Sequence, residues 1–464
     1  MDEMTSEQLN IVPSLAIPIN QPLFEQEGVR SVAVRSLLRI EQTSLSSEHV
    51  VSAEIAAHPE WTEFDRALYQ ELVFGTLRWR AKLDWILTGF YHGEFSKCMP
   101  VIQETLRVAL YQILMISKVS PQIAIESAGR IIERTRDTEY ASRLVGVLRG
   151  IARNVAGIRY PPQEQLPLYM HVVYSHPLWL VQRWIERYGE EIAQQMLAAN
   201  LERPPVFLAS NSLRASLDTL IAELQQMAIP LETIPTNPPL LRINPFADYT
   251  HFDVWQRGMC YTSDPIWSAA AAVIAQYTEG DVLYACTNLS RTLLPFIELT
   301  QKANRLLTLH TSLPVLPGWL HRECTRLGWQ LPPLLTDLSP ESVSTIVIET
   351  PSSGIGLWRR QPERKWRSDS IDIHRSTRRA LELIEQVLPS LKTGGHVLLL
   401  TLSTEQEETD SLVEWMCVRQ GGFRRVPLEM DAFTSAFRRN NGSLLSLPHL
   451  HRGDTVYVSL VEKH

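Results

Sequence analysis

The chain is poor in the features that mark three other classes of protein. Its five cysteines are scattered over 464 residues with no paired spacing, which argues against a disulfide framework or a zinc site and indicates a reducing compartment. The longest apolar stretches, such as Ala269 to Ala275, are far shorter than a membrane-spanning helix. The N-terminus carries Asp2, Glu3 and Glu7 and lacks the basic-then-apolar pattern of a secretory signal. The sequence therefore predicts a cytoplasmic protein with no membrane partner.

The chain also lacks the global excess of positive charge that is typical of nucleic-acid-binding proteins. It has 44 Lys and Arg against 51 Asp and Glu, a formal net charge of −7. Net charge does not report how charges are distributed, so a local basic face remains possible. Hydrophobic residues make up 44% and charged residues 20% of the chain, which is ordinary for a globular protein. A length of 464 residues suggests two to four domains.

The order of periodic segments predicts a multidomain protein with an all-α bundle, a small α+β subdomain and a C-terminal α/β domain. Residues 1–26 are polar and proline-containing, and we interpret them as a loose leader. Apolar residues recur at helical spacing over residues 27–158. Residues 159–257 form a connector followed by short strands and one helix. Over residues 258–464 apolar strands alternate with helices, which predicts a doubly wound, largely parallel sheet.

Two strand-to-loop junctions concentrate the residues that bear on chemistry. The first, Thr345–Gly356, is an apolar run that ends in an acid, Thr-Pro, small residues and two glycines. This pattern predicts a buried strand that opens into a tight loop. The second, Lys392–Ser403, begins Lys-Thr-Gly-Gly and ends Thr-Leu-Ser. Ligands of open α/β sheets bind outside the carboxyl ends of strands, so we expect a site at these loops.

These junctions resemble motifs of the RsmB/Sun family, S-adenosylmethionine-dependent (cytosine-5) methyltransferases of 16S ribosomal RNA. The family's first loop reads Asp-Ala-Pro-Cys-Ser-Gly-x-Gly, and its second contains Thr-Cys-Ser. This chain has Glu-Thr-Pro-Ser-Ser-Gly-Ile-Gly at 349–356 and Thr-Leu-Ser at 401–403. The spacing is kept, and both cysteines are replaced, by Ser352 and Leu402. The family position of the acid is Glu349.

The helical segment resembles the NusB-like domain that this family carries at its N-terminus. Nine residues match its blocks in order: Asp65, Arg66, Glu71, Gly75, Arg78, Tyr111, Gln112, Leu148 and Arg149. The family uses this domain to contact RNA or protein. The connector block Ser-His-Pro-x-Trp-Leu at 175–180 and the later Asn211 also match, whereas a family arginine is replaced by Ala209. The resemblance covers residues 29–464.

The resemblance implies that the catalytic chemistry is lost. The family's Thr-Cys-Ser cysteine adds to C6 of cytosine as a thiolate, and the Pro-Cys-Ser cysteine assists release. Leu402 has no lone pair, and the hydroxyl of Ser352 is a weak nucleophile without an adjacent base. No remaining cysteine falls on either loop.

The cofactor positions are also degenerate. The family has a glycine-rich loop after the first strand, which lets the backbone approach the ligand. Here Tyr284–Thr292 contains no glycine, the acid is replaced by Tyr284, and only Arg291-Thr292 echoes the family's Lys-Thr. His310 stands where an acid would hold the ribose hydroxyls, and Asp337 is kept after the third strand. With Glu349, these are the positions where any remaining cofactor contact is expected; we expect no bound cofactor, or S-adenosylmethionine if the chain is active.

RNA contact is expected from five residues: Arg78, Arg149, Asn211, Arg359 and Arg360. The last two belong to a basic segment with Trp358 and Trp366, which suits base stacking and phosphate contact. The alternative, a solvated loop with its tryptophans in the core, is equally compatible with the sequence. For the acidic pair Glu407-Glu408 we favour a helix cap, with Thr404 as first residue and Glu407 closing the box. The His449 and His451 pair is too isolated to predict a metal site.

The leading hypothesis is a pseudoenzyme that keeps RsmB-like architecture and binds RNA or a ribosome-related protein without methylating. A second hypothesis is an active RNA methyltransferase with a relocated nucleophile or a non-covalent mechanism. A third is a protein-interaction scaffold that has also lost RNA binding, toward which Ala209 points. The sequence does not identify the oligomeric state.

Overall fold

Helices account for the described residues up to Leu201, and among the described residues strands begin only at Val206. The structure, a computed structural model, describes residues 28–91, 93–244, 249–277, 280–429, 434–451 and 453–464; the predicted leader, residues 1–26, lies outside them. The chain divides into two units. The helical unit comprises the described residues up to Glu202 and Trp358–Ser368. The sheet unit comprises Arg203–Leu357 and Asp369–His464.

The helical unit is built from ten helices before Glu202. They are α1 (Val29–Gln42), α2 (Ser47–Ala57), α3 (Glu63–Arg78), α4 (Arg80–Phe90), α5 (Pro100–Met115), α6 (Pro121–Thr135), α7 (Thr138–Arg153), α8 (Leu166–Val173), α9 (Leu178–Tyr188) and α10 (Glu190–Leu201). Local sequence explains several starts: Thr62 and Asp65 form a capping box on α3, and prolines open α5 and α6. The helical prediction for this region is confirmed.

The contact of α3 with α5 explains three residues of the NusB-like blocks. The Tyr111 hydroxyl donates to the carboxylate of Glu71. A Cβ at Gly75 would lie 2.1 Å from the Tyr111 ring, so only glycine lets the ring pack against α3 at this point. Burial raises the pKa of the Tyr111 hydroxyl to about 12, which keeps it protonated as a donor. These residues are therefore positioned by packing between helices.

The segment Trp358–Ser368 packs within the helical unit although it lies far along the chain. The buried ammonium of Lys365 donates to the carbonyls of Arg78 and Ser175, each at 2.7 Å. Glu363 accepts from the backbone N–H and hydroxyl of Ser47 at 3.0 and 2.5 Å. The Ser175 hydroxyl also takes part in this packing, because it accepts from the N–H of Ala81 in α4 at 3.0 Å.

A four-stranded antiparallel sheet opens the sheet unit. Its strands are β1 (Val206–Ser210), β2 (Leu231–Ile234), β3 (Leu240–Ile243) and β4 (Cys260–Thr262), in the order β2-β3-β1-β4. Helices α11 (Leu217–Gln226) and α12 (Asp253–Gln256) accompany it. Leu208, Leu220 and Leu241 are fully buried in its core. This arrangement is the predicted small α+β subdomain.

A seven-stranded sheet fills the rest of the unit. Its strands are β5 (Val282–Cys286), β6 (Leu307–Thr311), β7 (Val343–Glu349), β8 (Leu391–Thr401), β9 (Phe423–Val426), β10 (Leu444–Leu445) and β11 (Tyr457–Lys463). The order is β10-β11-β8-β7-β5-β6, with β9 also paired to β11. The strands β6, β5, β7 and β8 are parallel neighbours, whereas β11 runs antiparallel to β8, β9 and β10.

Helices flank this sheet, as the alternation of segments predicts. They are α13 (Pro265–Tyr277), α14 (Leu294–Lys302), α15 (Gly318–Leu327), α17 (Ser370–Val387), α18 (Asp410–Glu414) and α19 (Pro448–His451); α16 (Arg364–Arg367) lies in the helical unit. Successive residues of β7 alternate between two apolar clusters, since Val347 belongs to one and Ile346 and Ile348 to the other. The predicted α/β domain is confirmed, with a mixed sheet. No helix among the described residues is long and apolar enough to cross a membrane.

Candidate active site

The two predicted site loops follow neighbouring parallel strands. In the register of β7 and β8, Glu349 lies beside Leu400, so both strands deliver their loops to the same edge of the sheet. The N–H of Thr350 donates to the Leu400 carbonyl at 2.9 Å, and that of Gly356 to the Leu402 carbonyl at 3.2 Å. The structure thus brings the two family loops into direct contact.

Gly356 permits the closest part of this contact. A Cβ there would lie 2.5 Å from the carbonyl oxygen of Thr455 and 3.0 Å from the Leu402 backbone. Backbone atoms cannot move aside as a flexible side chain does, so a larger residue would displace a loop. The glycine of the family frame is therefore kept for a steric reason that does not depend on catalysis.

Leu402 and Ser352, the residues at the positions of the two family cysteines, come close to each other where the loops meet. The Leu402 side chain is 8% exposed and belongs to an apolar cluster with Tyr284 and Leu400. The hydroxyl of Ser352 donates to the Leu402 carbonyl at 3.3 Å. Neither group is presented as a nucleophile, because one is a hydrocarbon and the other is engaged with backbone.

Glu408 joins the two loops. Its buried carboxylate accepts from the backbone N–H and the hydroxyl of Ser353 in one loop and from the hydroxyl of Ser403 in the other. Burial raises the pKa of Glu408 to about 7, and the hydrogen bonds oppose the shift. The predicted helix cap is wrong here: the short turn Gln406–Glu408 has no side-chain cap, and Thr404 donates instead to Glu405 at 2.8 Å.

Side chains of β5 and of the loop that follows it form hydrogen bonds with Glu349 at the end of β7. The Tyr284 hydroxyl donates to Glu349 at 2.6 Å, and the hydroxyls of Thr292 and Ser290 donate to the same carboxylate at 2.9 and 3.2 Å. Burial raises the pKa of both Tyr284 and Glu349. The Tyr284 ring also packs edge-on against Phe296, with ring centres 5.4 Å apart. The carboxylate of Glu349 is thus bonded to three hydroxyl groups from β5 and the segment that follows it.

The remaining cofactor positions each contact other parts of the chain. His310 is buried at the end of β6, and its Nδ1 lies 3.1 Å from the Leu335 carbonyl. Asp337 is exposed and accepts from the hydroxyl of its neighbour Thr336 at 3.4 Å. Arg291 is exposed, with its guanidinium 3.4 Å from the hydroxyl of Thr262. Their assignment to cofactor contact stays a prediction.

The cysteines offer no activated thiol near these loops. All five are free. Cys286 lies at the end of β5, opposite Glu349 in the strand register, but it is 1% exposed and burial raises its pKa. Burial likewise raises the pKa of Cys260 to about 12 and that of Cys324 to about 11, and it raises the pKa of Cys417. A thiol with a raised pKa holds its proton at neutral pH and is a poor nucleophile.

Three of the five predicted RNA-contacting residues are buried, and the side chains of two of them are bonded within the chain. Burial lowers the pKa of Arg78, 4% exposed, to about 10. The Asn211 amide donates to the carbonyls of Gly258 and Leu327 at 2.8 and 2.9 Å. Arg359 is paired with Glu202 at 3.1 Å. The structure does not favour RNA contact by these three, because such contact would require each to leave an interior position.

The other two candidates differ. Arg149 is exposed on α7, and Arg360 is half-buried. In the basic segment Trp358 is fully buried, and the indole N–H of Trp366 donates to the Leu77 carbonyl at 2.6 Å. Trp358 therefore lies in the core, as the alternative expects, but the segment is not a solvated loop, because Arg359 and Lys365 are buried and Trp366 is half-buried. No cluster of metal-binding side chains occurs among the described residues.

Two features of the site were missed by sequence reasoning. One is the role of Glu408, whose only signal was its place in an acidic pair after the second loop. The other is the pairing of Tyr284 with Glu349, for which the signal was an acid-to-tyrosine replacement on a neighbouring strand. Both depend on strand register, which brings residues 65 and 55 positions apart into contact.

Comparison with known proteins accounts for the order of domains. The NusB family matches residues 27–153, the RsmF/B-like methyltransferase ferredoxin-like domain matches 176–249, and the family 16S rRNA methyltransferase RsmB/F matches 324–462. Residues 250–323, which contain the glycine-free loop after β5, lie outside these three ranges.

Curated relatives match along nearly the whole chain. The probable ribosomal RNA small subunit methyltransferase B of Bacillus subtilis (strain 168) is 25% identical over 460 residues, which is 95% of this chain and 100% of the relative. Ribosomal RNA small subunit methyltransferase B of Yersinia pseudotuberculosis serotype O:1b is 24% identical over 453 residues, 94% and 99% of the two chains.

Solved structures share the fold at lower identity. The crystal structure of PH0851 has a TM-score of 0.77 and 18% identity and covers 97% of this chain and 100% of its own. NSun6 from Pyrococcus horikoshii has a TM-score of 0.54 and 13% identity, with 63% and 99% covered. The NusB, ferredoxin-like and RsmB/F matches, in this order, and the curated relatives support placing the chain in the RsmB/Sun family.

Proposed function

We propose that this member of the family binds RNA and does not methylate it. The observation that carries the proposal is Leu402, a buried hydrocarbon side chain at the position of the family's nucleophile. The relatives named above act on ribosomal RNA, which makes ribosomal RNA the expected partner, in the cytoplasm. A ribosome-related protein is the alternative partner.

The absence of a usable nucleophile supports loss of the reaction. Addition to a cytosine ring needs a soft, deprotonated group, and a leucine side chain has no lone pair. Ser352 has its hydroxyl bonded to a backbone carbonyl. Cys286, the cysteine that lies at the same edge of the sheet, is buried with a raised pKa. This disfavours the second hypothesis, in which a relocated cysteine attacks the base.

The residues at the cofactor positions do not fit S-adenosylmethionine. A ribose is held by an acceptor that takes hydrogen bonds from its hydroxyls, and a glycine loop lets the backbone approach. Tyr284 and Thr292 instead donate their hydroxyl hydrogens to the carboxylate of Glu349. Their mutual bonds satisfy buried polar groups without a ligand. We therefore expect cofactor affinity to be lost together with the nucleophile.

The third hypothesis, a scaffold without RNA binding, loses its main support. It rests on Ala209, which stands where the family has an arginine, but Ala209 is 2% exposed in β1 and packs in an apolar cluster. A residue in this position does not face a phosphate. Retention of an exposed Arg149 favours RNA binding.

Transfer of a labelled methyl group tests the proposal. Purified protein, labelled S-adenosylmethionine and unmodified 16S ribosomal RNA are incubated, and 5-methylcytosine is measured in the RNA. The Yersinia relative provides the positive control. We expect no methylation above a protein-free blank; incorporation comparable to that of the control would overturn the proposal. An RNA gel shift at increasing salt tests the binding half, because phosphate contacts weaken with salt.

A further inference from the structure

An exposed face of α7 combines arginines with glycines. The helix contains three arginines and one acid, Glu139, in its first turn. Its core face is made of Ala141, Leu144, Leu148 and Ile151. The exposed residues on the opposite side include Arg143, Gly146, Arg149, Gly150 and Arg153. At 100° per residue these five lie within a sector of about 120°, which also contains Ser142 and, at its N-terminal end, the exposed acid Glu139. We call this surface the α7 face.

The two glycines of the α7 face are not explained by packing within the described chain. A Cβ at Gly146 or Gly150 would meet no described atom within 4 Å. Gly129 on the neighbouring α6 differs, because a Cβ there would lie 3.0 Å from Val145 of α7. Glycine lowers the stability of a helix interior relative to alanine. A bare strip of helix backbone between arginines instead suits the close approach of something outside the chain.

The charges of the α7 face are available for a partner. Among the residues that the structure describes, Arg149 and Arg153 form no ion pair. The guanidinium of Arg143 lies 5.5 Å from the ring centre of Tyr140, near the start of the helix. Arginines on either side of the two glycines can contact phosphates of a nucleic acid. The sugar-phosphate backbone between those phosphates can then lie directly against the glycines.

A cleft adjoins the N-terminal end of the α7 face. It encloses about 320 Å³ and is lined by Tyr91, Tyr140, Cys98 and Arg136, among others. Tyr140 connects the two features, because it lines the cleft and contacts Arg143. Aromatic rings beside a basic track are the usual means by which proteins hold unpaired bases. A duplex, whose bases are stacked and paired, cannot use such a cleft.

We propose that the α7 face binds single-stranded RNA, with phosphates on Arg143, Arg149 and Arg153 and a base in the adjoining cleft. The inference rests on the RNA-binding half of the proposed function and names its site. Of the five residues predicted to contact RNA, Arg149 alone is exposed, as a residue of this site must be.

The first test removes charge from the face and from a matched surface. The variant Arg149→Ala/Arg153→Ala is compared with Arg378→Ala/Arg379→Ala, two exposed arginines of α17 whose loss changes net charge equally. Binding of a fluorescein-labelled, unstructured RNA 12-mer is followed by anisotropy between about 50 and 200 mM salt. We expect at least tenfold weaker binding for the first variant and a salt slope reduced by about 1.4. The α17 variant stays within twofold of wild type.

The second test addresses the glycines. Gly146→Ala/Gly150→Ala is expected to raise the melting temperature, since the fold does not need these glycines. Gly146→Gln/Gly150→Gln keeps net charge and adds bulk that blocks backbone approach. We expect it to remain folded by circular dichroism and to lose at least tenfold in RNA affinity. The substitution Tyr140→Leu removes the aromatic ring and is expected to lower the affinity for RNA roughly tenfold.

The outcomes separate this inference from the proposed function. If wild type binds no RNA, the RNA half of the proposed function fails and the inference fails with it. If wild type binds RNA and the α7 variants bind as tightly as the α17 variant, RNA binds elsewhere and only the inference is overturned. Equal affinity for the 12-mer and its duplex would contradict the assignment of a single strand.

Discussion

The loops after β5 and β7 have changed in opposite ways, although they lie on adjacent strands. The loop after β7 keeps the family's shape: Gly356 still permits contact with the loop after β8, and Glu408 joins the two. The loop after β5 has no glycine, and Tyr284 bonds to Glu349. The loops after β7 and β8 are thus held by close backbone packing and a shared carboxylate, whereas the loop after β5 is held by hydroxyl groups bonded to Glu349.

The largest effect is expected at Gly356. The substitution Gly356→Ala forces a Cβ to within 2.5 Å of the Thr455 carbonyl oxygen, so we expect the sheet unit to lose about 3 kcal/mol of unfolding free energy. Urea unfolding measures it. Gly318→Ala, where the nearest atom is the flexible end of Arg322 at 3.4 Å, is the control and is expected to change little. Equal effects would show that the loops after β7 and β8 do not need their close contact.

Glu408 should make the contact of these loops sensitive to pH. Its folded pKa of about 7 lies above the usual 4.5, so the folded state binds this proton more tightly than the unfolded state. The contribution of Glu408 to the free energy of unfolding is therefore fully present at pH 4. It is lost as the pH rises through 7, and the total loss is about 3 kcal/mol.

The variant Glu408→Gln isolates this effect, because an amide can accept from the Ser353 N–H and donate to the two serine hydroxyls. In urea unfolding experiments, we expect the free energy of unfolding of the wild type to fall between pH 4 and pH 8 by about 3 kcal/mol more than that of the variant. Other titrating groups are common to both proteins and cancel. Parallel pH profiles would show that the carboxylate titrates normally.

A smaller effect is expected in the loop after β5. Tyr284→Phe removes one of three hydroxyl donors from the buried carboxylate of Glu349, and we expect a loss of about 1–2 kcal/mol. Tyr277→Phe, whose hydroxyl bonds are at an exposed site, is the control and should cost less. An unchanged stability for Tyr284→Phe would mean that the loop is not held by this network.

No gain is expected from restoring the cysteines alone. In Leu402→Cys/Ser352→Cys both family nucleophile positions carry sulfur again, while the loop after β5 still lacks its cofactor frame. We expect the labelled-methyl assay on 16S ribosomal RNA to remain at background. Methylation by this variant would locate the defect in the nucleophile alone and would contradict the view that the cofactor loop is also lost.

The sequence predicted the fold well because its signals are local. Apolar residues at helical spacing indicate the helical bundle, alternating apolar strands and helices indicate the α/β domain, and the two junctions indicate loops at strand ends. Family motifs supplied the order of domains. The predicted boundaries at 158/159 and 257/258 stay predictions.

The site was less predictable because its contacts are distant in sequence. Nothing near Glu408 indicates that it reaches Ser353, and nothing near Asn211 indicates that its amide is used by Gly258 and Leu327. Charge alone suggested that Arg78 and Arg359 face RNA, but burial depends on which elements pack around them. Residue type indicates what a side chain can do, whereas strand register and packing decide whether it is accessible.

Calorimetric titration with S-adenosylmethionine tests the central claim most directly, since it needs neither the RNA nor a turnover. The Yersinia relative is titrated alongside under the same conditions. With Tyr284, Thr292 and Ser290 bonded to Glu349, we predict no saturable heat for this protein up to millimolar cofactor. Saturable binding in the micromolar range would contradict the account.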